Sequence, residues 1–137
     1  DLAPKAPSIY GFTYTIPGAR SGNRKSFIGS GIGELNGGGR KDIIQLGKTS
    51  PKAMRIKAEW VMGAVNTQLE KLGVKWSDVS QTTVYTVHTI DSYVEDAILG
   101  AMGPAARYGF HWMYTRPPIV ELEFEVDVRG AGQELFL

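Results

Sequence analysis

Ser50-Pro51-Lys-Ala-Met54-Arg-Ile-Lys-Ala58-Glu-Trp-Val61-Met62-Gly-Ala-Val65-Asn-Thr-Gln-Leu69-Glu-Lys-Leu72-Gly73 is the stretch from which the architecture of this 137-residue chain can be read. Met54, Ala58, Val61, Met62, Val65, Leu69 and Leu72 recur at spacings of three and four, which draws one apolar stripe along an α-helix. Ser50 stands just before the run, where its hydroxyl can accept a first-turn N–H. Pro51 suits the first helical position, since its missing donor would be unpaired there anyway. Gly73 permits the left-handed backbone that stops a helix. A long amphipathic helix from Pro51 to Leu72, packed on a sheet through its stripe, is the expectation.

Upstream, residues 1–7 carry Pro4 and Pro7 and read as a loose tail. Ser8 to Ile16 is rich in aromatic and β-branched residues, which suit a pleated surface, and Pro17-Gly18 breaks it. Lys25 to Ser30 reads as a second strand and Asp42 to Leu46 as a short third one, separated by the flexible Asn36-Gly37-Gly38-Gly39. Downstream, Gln81 to Val87 reads as a strand, and Asp91 can cap a shorter helix that runs to about Met102 and ends at Gly103-Pro104. Two strands close the chain, one opened by Arg107 and one running from Val120 to Val128 with unbroken apolar and acidic alternation. Such alternation puts one face on the core and the other toward water or another subunit. The order β-β-β-α-β-α-β-β predicts an α+β fold, a mixed sheet with two helices on one face, forming a single domain over residues 1–137.

Composition narrows the function. With 42% hydrophobic and 21% charged residues the chain is an ordinary globular protein. Its net charge of +1 creates no field that draws nucleic acid or acidic membrane. Without cysteine there is no disulfide, thiolate nucleophile or thiolate zinc site, which fits a reducing, cytoplasmic setting. No apolar run approaches the length of a membrane span and no secretory leader is visible, so no membrane partner is expected. His88 and His111 lie on different elements without ligand spacing, and no metal site is expected.

The motifs Phe27-Ile-Gly-Ser30-Gly31, Leu72-Gly73-Val74, Trp76-Ser-Asp78-Val-Ser-Gln-Thr-Thr83-Val-Tyr85, Asp91-Ser-Tyr93, Pro104-Ala-Ala-Arg107 and Val120-Glu121-Leu-Glu123 follow one another in order. Over roughly residues 25 to 129 the chain resembles the RidA family of imine deaminases, also called the YjgF or L-PSP family. The resemblance implies a chorismate-mutase-like fold and a homotrimer with three clefts between subunits. It also implies hydrolysis of 2-imino acids, or their enamine tautomers, to 2-keto acids and ammonia without metal or cofactor. By position, Arg107 takes the place of the arginine that grips the substrate carboxylate, and Glu121 that of the glutamate associated with the attacking water. Ser30 matches the pocket serine from the neighbouring chain, and Gly109 the residue whose carbonyl faces the substrate. Tyr14 stands for the family tyrosine and Asp96 is nearest the pocket asparagine. Ile32 and Thr115-Arg116-Pro117-Pro118 depart from the family pattern and leave room for a specialised substrate, such as an aminomuconate-like or aromatic-derived acid.

The chemistry of these residue types is consistent with that role. A 2-imino acid carries a carboxylate beside an electrophilic C=N carbon, and the planar fork of arginine donates two parallel charge-assisted hydrogen bonds to such an anion. A carboxylate beside the attacking water supplies general base and general acid in turn. With a turn near Thr115 to Pro118, Trp112 would fall opposite Glu121 and Arg107 about 16 Å further along, at about 3.3 Å per residue. One chain would then not bring Arg107 and Glu121 to one small substrate, and a pocket shared between subunits is expected. The bland readings stand beside these. Without the resemblance, Arg107 reads as a surface or ion-pair residue. Glu121, Glu123, Glu125 and Asp127 read as a solvated row, and Ser30 as a tight strand end. His111, among Phe110, Trp112 and Tyr114, either lines the pocket or packs at an interface. The alternative function is a non-catalytic, metabolite-binding trimer in which Arg107 senses a small carboxylate. An RNA-cleaving role gains no support from a chain with little net charge and no basic aromatic groove.

Overall fold

The computed structural model describes residue 6 and residues 25–131. The expected first strand, Tyr14 and all of the expected tail but residue 6 lie outside the described residues. Helix α1 (Pro51–Leu72) has the bounds that its caps imply. Ser50 Oγ accepts the Ala53 N–H at 3.3 Å. Gly73 adopts φ 64°, and the Val74 N–H turns back onto Leu69 O at 3.0 Å. The stripe from Met54 to Leu69 is buried, together with one residue that is not apolar, Lys57.

Among the described residues four strands form the sheet: β1 (Phe27–Gly33), β2 (Gln81–Tyr85), β3 (His111–Met113) and β4 (Glu125–Gly130), in the spatial order β1-β4-β2-β3. β4 runs antiparallel to both neighbours and β3 runs parallel to β2, so the sheet is mixed, as expected for this α+β fold. Val84, Phe124, Val126 and Val128 pack with α1 and with Ile98 and Met102 of the second helical segment in one core. No helix among the described residues is long and apolar enough to cross a membrane.

Several elements depart from the sequence reading, each for a local reason. Asp42 to Leu46 is not a strand. Asp42 draws in the Gly39 N–H at 3.0 Å, the chain makes a 3-10 turn at Arg40–Asp42, and among the described residues an isolated bridge between Leu35 and Ile43 is what remains of the pairing. Gln45 at φ 51° and Gly47 at φ 70° then break the extended run. The second helical segment begins as a π-helix, Val94–Leu99, continues as one α turn, α2 (Gly100–Met102), and passes through Gly103 at φ 51° into a 3-10 stretch, Gly103–Tyr108. Arg107 therefore ends a helical turn instead of opening a strand. Asp91 does not cap that segment; its carboxylate accepts the Thr89 hydroxyl at 2.8 Å.

The closing strands do not form a hairpin, because β4 inserts between β1 and β2 and never meets β3. The strand expected to begin at Val120 begins at Glu125, since the N–H groups of Glu123 and Phe124 point into the buried carboxylate of Glu34 at 2.6 and 3.0 Å. Nor is the acidic row solvated throughout: Glu123 and Glu125 are 8% and 7% exposed.

β1 and β4 approach closely at Gly130. A Cβ there would collide with the Phe27 ring and stand 2.5 Å from the Asp78 carbonyl oxygen, whereas one at Gly38 would meet nothing within 4 Å. Gly130→Ala is expected to lower stability by about 1–3 kcal/mol through overpacking, with Gly38→Ala near neutral, as urea unfolding would measure.

Candidate functional site

Arg107 lies in the last turn of the 3-10 stretch. Gly109, at φ 66°, ends that turn with its N–H on Ala106 O at 2.9 Å, a conformation that favours glycine. The Arg107 side chain is exposed, and its guanidinium donates to Tyr108 Oη at 2.8 Å from above the ring, 4.7 Å from the centroid. Two residues after Gly109, His111 opens β3. Its Nδ1 lies 3.2 Å from Gln81 Nε2, and Gln81 Oε1 in turn accepts from Arg129. The register places His111 beside Thr83, and Gln81 beside Arg129. Arg107, Gly109 and His111 thus gather at the edge of the sheet, at the end where β2 begins.

Glu121 is elsewhere. It precedes β4, whose first residue Glu125 pairs with Tyr85 at the far end of β2. From Gln81 to Tyr85 the sheet rises about 13 Å, at about 3.3 Å per residue, and Arg107 and Glu121 lie beyond its two ends. Arg40 grips the Glu121 carboxylate with two nitrogens, Nη2 reaching Oε1 at 2.6 Å and Nε reaching Oε2. That hydrogen bond is the main reason the Glu121 carboxyl sits below the usual range. Glu121 also holds a left-handed backbone, φ 74°.

Ser30 is exposed on β1, in a hollow of about 230 Å³ on the sheet face opposite the helices, lined also by Gln81, Thr83, Tyr85, Asp127 and Arg129. Asp127 organises this floor by accepting the Gly31 N–H at 2.7 Å and the Tyr85 hydroxyl at 3.0 Å. Burial first, then the Asp127 hydrogen bond, pushes the Tyr85 phenol up to about 12. Asp96 belongs to the helix layer. Arg55 of α1 bonds it at 2.6 Å and holds its carboxyl low, and the same arginine donates to Ser92 O at 2.9 Å. The structure ties Asp96 to α1 and joins it neither to Arg107 nor to Glu121.

A polar cluster that sequence reasoning missed is built around Glu123, two residues after Glu121. Glu123 Oε2 accepts from His88 Nε2 at 2.8 Å, and Glu123 Oε1 accepts from Arg116 Nη1 at 2.5 Å. The His88 N–H donates to Thr86 Oγ1 at 3.1 Å, and Thr86 O takes the indole N–H of Trp112 at 2.9 Å. Behind the cluster, Glu34 and Lys57, both 0% exposed, pair at 3.0 Å. The available signal was Lys57 itself, which falls on the apolar stripe three residues after Met54 and four before Val61. Among the described residues, no group of three or more His, Asp or Glu side chains could hold a metal ion.

Comparison with known proteins matches residues 2–135 to the family described as 2-aminomuconate deaminase CnbZ. The chain is 39% identical over 137 residues to a 2-amino-5-chloromuconate deaminase of Comamonas testosteroni, covering 98% of this chain and 54% of that protein. The chain thus spans about half the length of that relative. Among solved structures it is similar to a YjgF/YER057c/UK114 family member from Mycobacterium tuberculosis, with a TM-score of 0.45, 16% identity and coverage of 56% of this chain and 66% of that one. A Rid family protein of unknown function from Yersinia pestis gives a TM-score of 0.47 at 15% identity, over 75% of this chain and 77% of that one. The deaminase resemblance read from the sequence agrees with the family match and with the Comamonas relative.

Proposed function

Because the chain belongs to the 2-aminomuconate deaminase CnbZ family, we propose that it hydrolyses a 2-aminomuconate-type enamine acid to the 2-keto acid and ammonia. The observation that carries the reading, beyond family, is the separation of Arg107 and Glu121 to opposite ends of one sheet. In a ring of identical chains, the Arg107 end of one copy meets the Glu121 end of the next, and the assembly we propose is a homotrimer with such clefts. Exposed Tyr108, Met113, Ile119 and Val120 supply apolar surface for that contact. Cytoplasmic residence belongs to the same reading.

Arg107 takes the substrate carboxylate beside the reacting carbon, exchanging its bond to Tyr108 for a two-point grip. Gly109 presents its carbonyl there, and His111 and Ser30 line the approach. Glu121, kept ionised by Arg40, accepts a proton as water oxygen bonds to the C=N carbon. Glu121 returns that proton to nitrogen and, as the carbon–nitrogen bond breaks, takes the proton of the carbinol hydroxyl, whose oxygen becomes the keto oxygen. Asp96 and Tyr14 contribute to the pocket as placed by resemblance.

Mixed assemblies test the sharing. Arg107→Ala and Glu121→Ala chains, each inactive alone, are co-expressed with different tags and purified together. Each trimer that carries both tags has one of its three clefts complete, so roughly a third of wild-type activity is expected. Absence of any regain would show that the two residues serve one cleft within a chain, or none.

A further inference from the structure

We propose that His88, Glu123 and Arg116 form a second subsite, which takes the distal half of a conjugated dienamine dicarboxylate and protonates its far carbon. The proposal rests on the deaminase reading and deepens it. A 2-aminomuconate is not yet an imine. Its nitrogen is conjugated through C2=C3 and C4=C5, and water can add to C2 only after the electrons have moved. The nitrogen lone pair forms C2=N, the C2=C3 pair forms C3=C4, and the C4=C5 pair takes a proton at C5. The product is an iminium ion that Glu121 and water hydrolyse. Protonation at C3 would also give an imine, but protonation at C5 is the route that keeps C2=N conjugated with C3=C4. That route needs an acid about three bonds from the carbon that water attacks.

The cluster has the parts for this step. A carboxylate only accepts, so the His88–Glu123 contact of 2.8 Å requires the ring proton on Nε2. Nδ1 is then the nitrogen that gains and loses a proton toward the substrate. The ring is only partly covered, with 22% of the side chain exposed, and its main chain is pinned through Thr86 to Trp112. Trp112 and Tyr114, 41% and 75% exposed with ring centroids 6.2 Å apart and planes tilted by 60°, offer an aromatic corner in which a conjugated chain can lie against a ring face. Arg116 is bound to Glu123 at 2.5 Å while 58% of its side chain stays exposed, which leaves donors for the carboxylate next to C5. Glu121, which handles the water, is two residues from Glu123, so the base and the carboxylate that orients the His88 acid arise from one short segment.

The test compares two substrates. Wild-type protein and His88→Gln are assayed with 2-aminomuconate, which needs the carbon proton, and with 2-iminopropionate generated by an amino-acid oxidase, which does not. His88→Gln is expected to slow the dienamine about 10²-fold, the reach of a general acid, and the preformed imine by less than about threefold. Arg116→Gln should raise KM for the dicarboxylate and leave the monocarboxylate unchanged. Equal losses on both substrates, or none, would overturn the subsite and leave the deaminase reading standing. Wild-type inactivity on both would overturn both. If wild-type protein turns over the dienamine alone, the label decides: in deuterium oxide it should place one deuteron stereospecifically at C5. Retention of that stereospecificity by His88→Gln would overturn the proposal.

Discussion

Lys57→Met is expected to cost about 3–5 kcal/mol of stability, because it leaves the Glu34 carboxylate buried without its ammonium partner. Both side chains are 0% exposed and 3.0 Å apart, so solvent does little to screen the loss. At roughly 3 °C per kcal/mol for a chain of this size, the melting temperature should fall by about 10–15 °C. Methionine fills nearly the same volume, so little of the effect is a cavity. Replacing both partners of a buried pair with apolar residues is often harmless, but that is not expected here. Glu34 also accepts the N–H groups of Glu123 and Phe124 at 2.6 and 3.0 Å, and a Glu34→Met, Lys57→Met chain would orphan both at about 1–3 kcal/mol each. Thermal unfolding of the single and double variants separates the cases. A double variant with wild-type stability would show that the carboxylate does not anchor the segment before β4.

Arg107→Ala is expected to show the opposite signature, lost turnover without lost stability. Its guanidinium is exposed and touches only Tyr108 among the contacts described, so the melting temperature should stay within the range of ordinary surface changes. On the proposed role, two charge-assisted bonds at about 1.5–3 kcal/mol each are removed from the bound acid. At about 1.4 kcal/mol per tenfold, kcat/KM should fall by about 10²–10³ even with partial compensation by water. Arg107→Lys should recover part of the loss, since it restores the charge without the planar fork. A kcat/KM within about threefold of wild type in Arg107→Ala would remove the carboxylate grip from the mechanism.

The features legible in the sequence were those whose causes are local. Ser50, Pro51 and Gly73 are near neighbours of the backbone groups they satisfy, so α1 has the bounds read from them. The strand near Gln81 was equally plain, and the order of strands and helices supplied the α+β class. Pairing between distant strands was not legible. Alternation from Val120 to Val128 does not reveal that Glu34, some ninety residues earlier, captures two of its N–H groups and delays the strand to Glu125. Nor does it tell whether β4 lies beside β3 or between β1 and β2. The expectation that Arg107 and Glu121 stand far apart came from a hairpin that does not exist, yet the separation holds because the parallel β3 sends them to opposite ends. His88 and Glu123 are thirty-five positions apart, and neither carries a spacing signal toward the other.

The left-handed backbone at Glu121, φ 74°, narrows the substitutions from which function can be inferred there. Side chains branched at Cβ would add steric conflict to the missing carboxylate, so an inactive valine or isoleucine variant would confound chemistry with distortion. Alanine keeps the twist unfavourable, while glycine relaxes it. In a saturation library, the glycine variant would therefore report the carboxylate's removal with the least collateral damage. Fold strength and turnover would be expected to move in opposite directions at that codon.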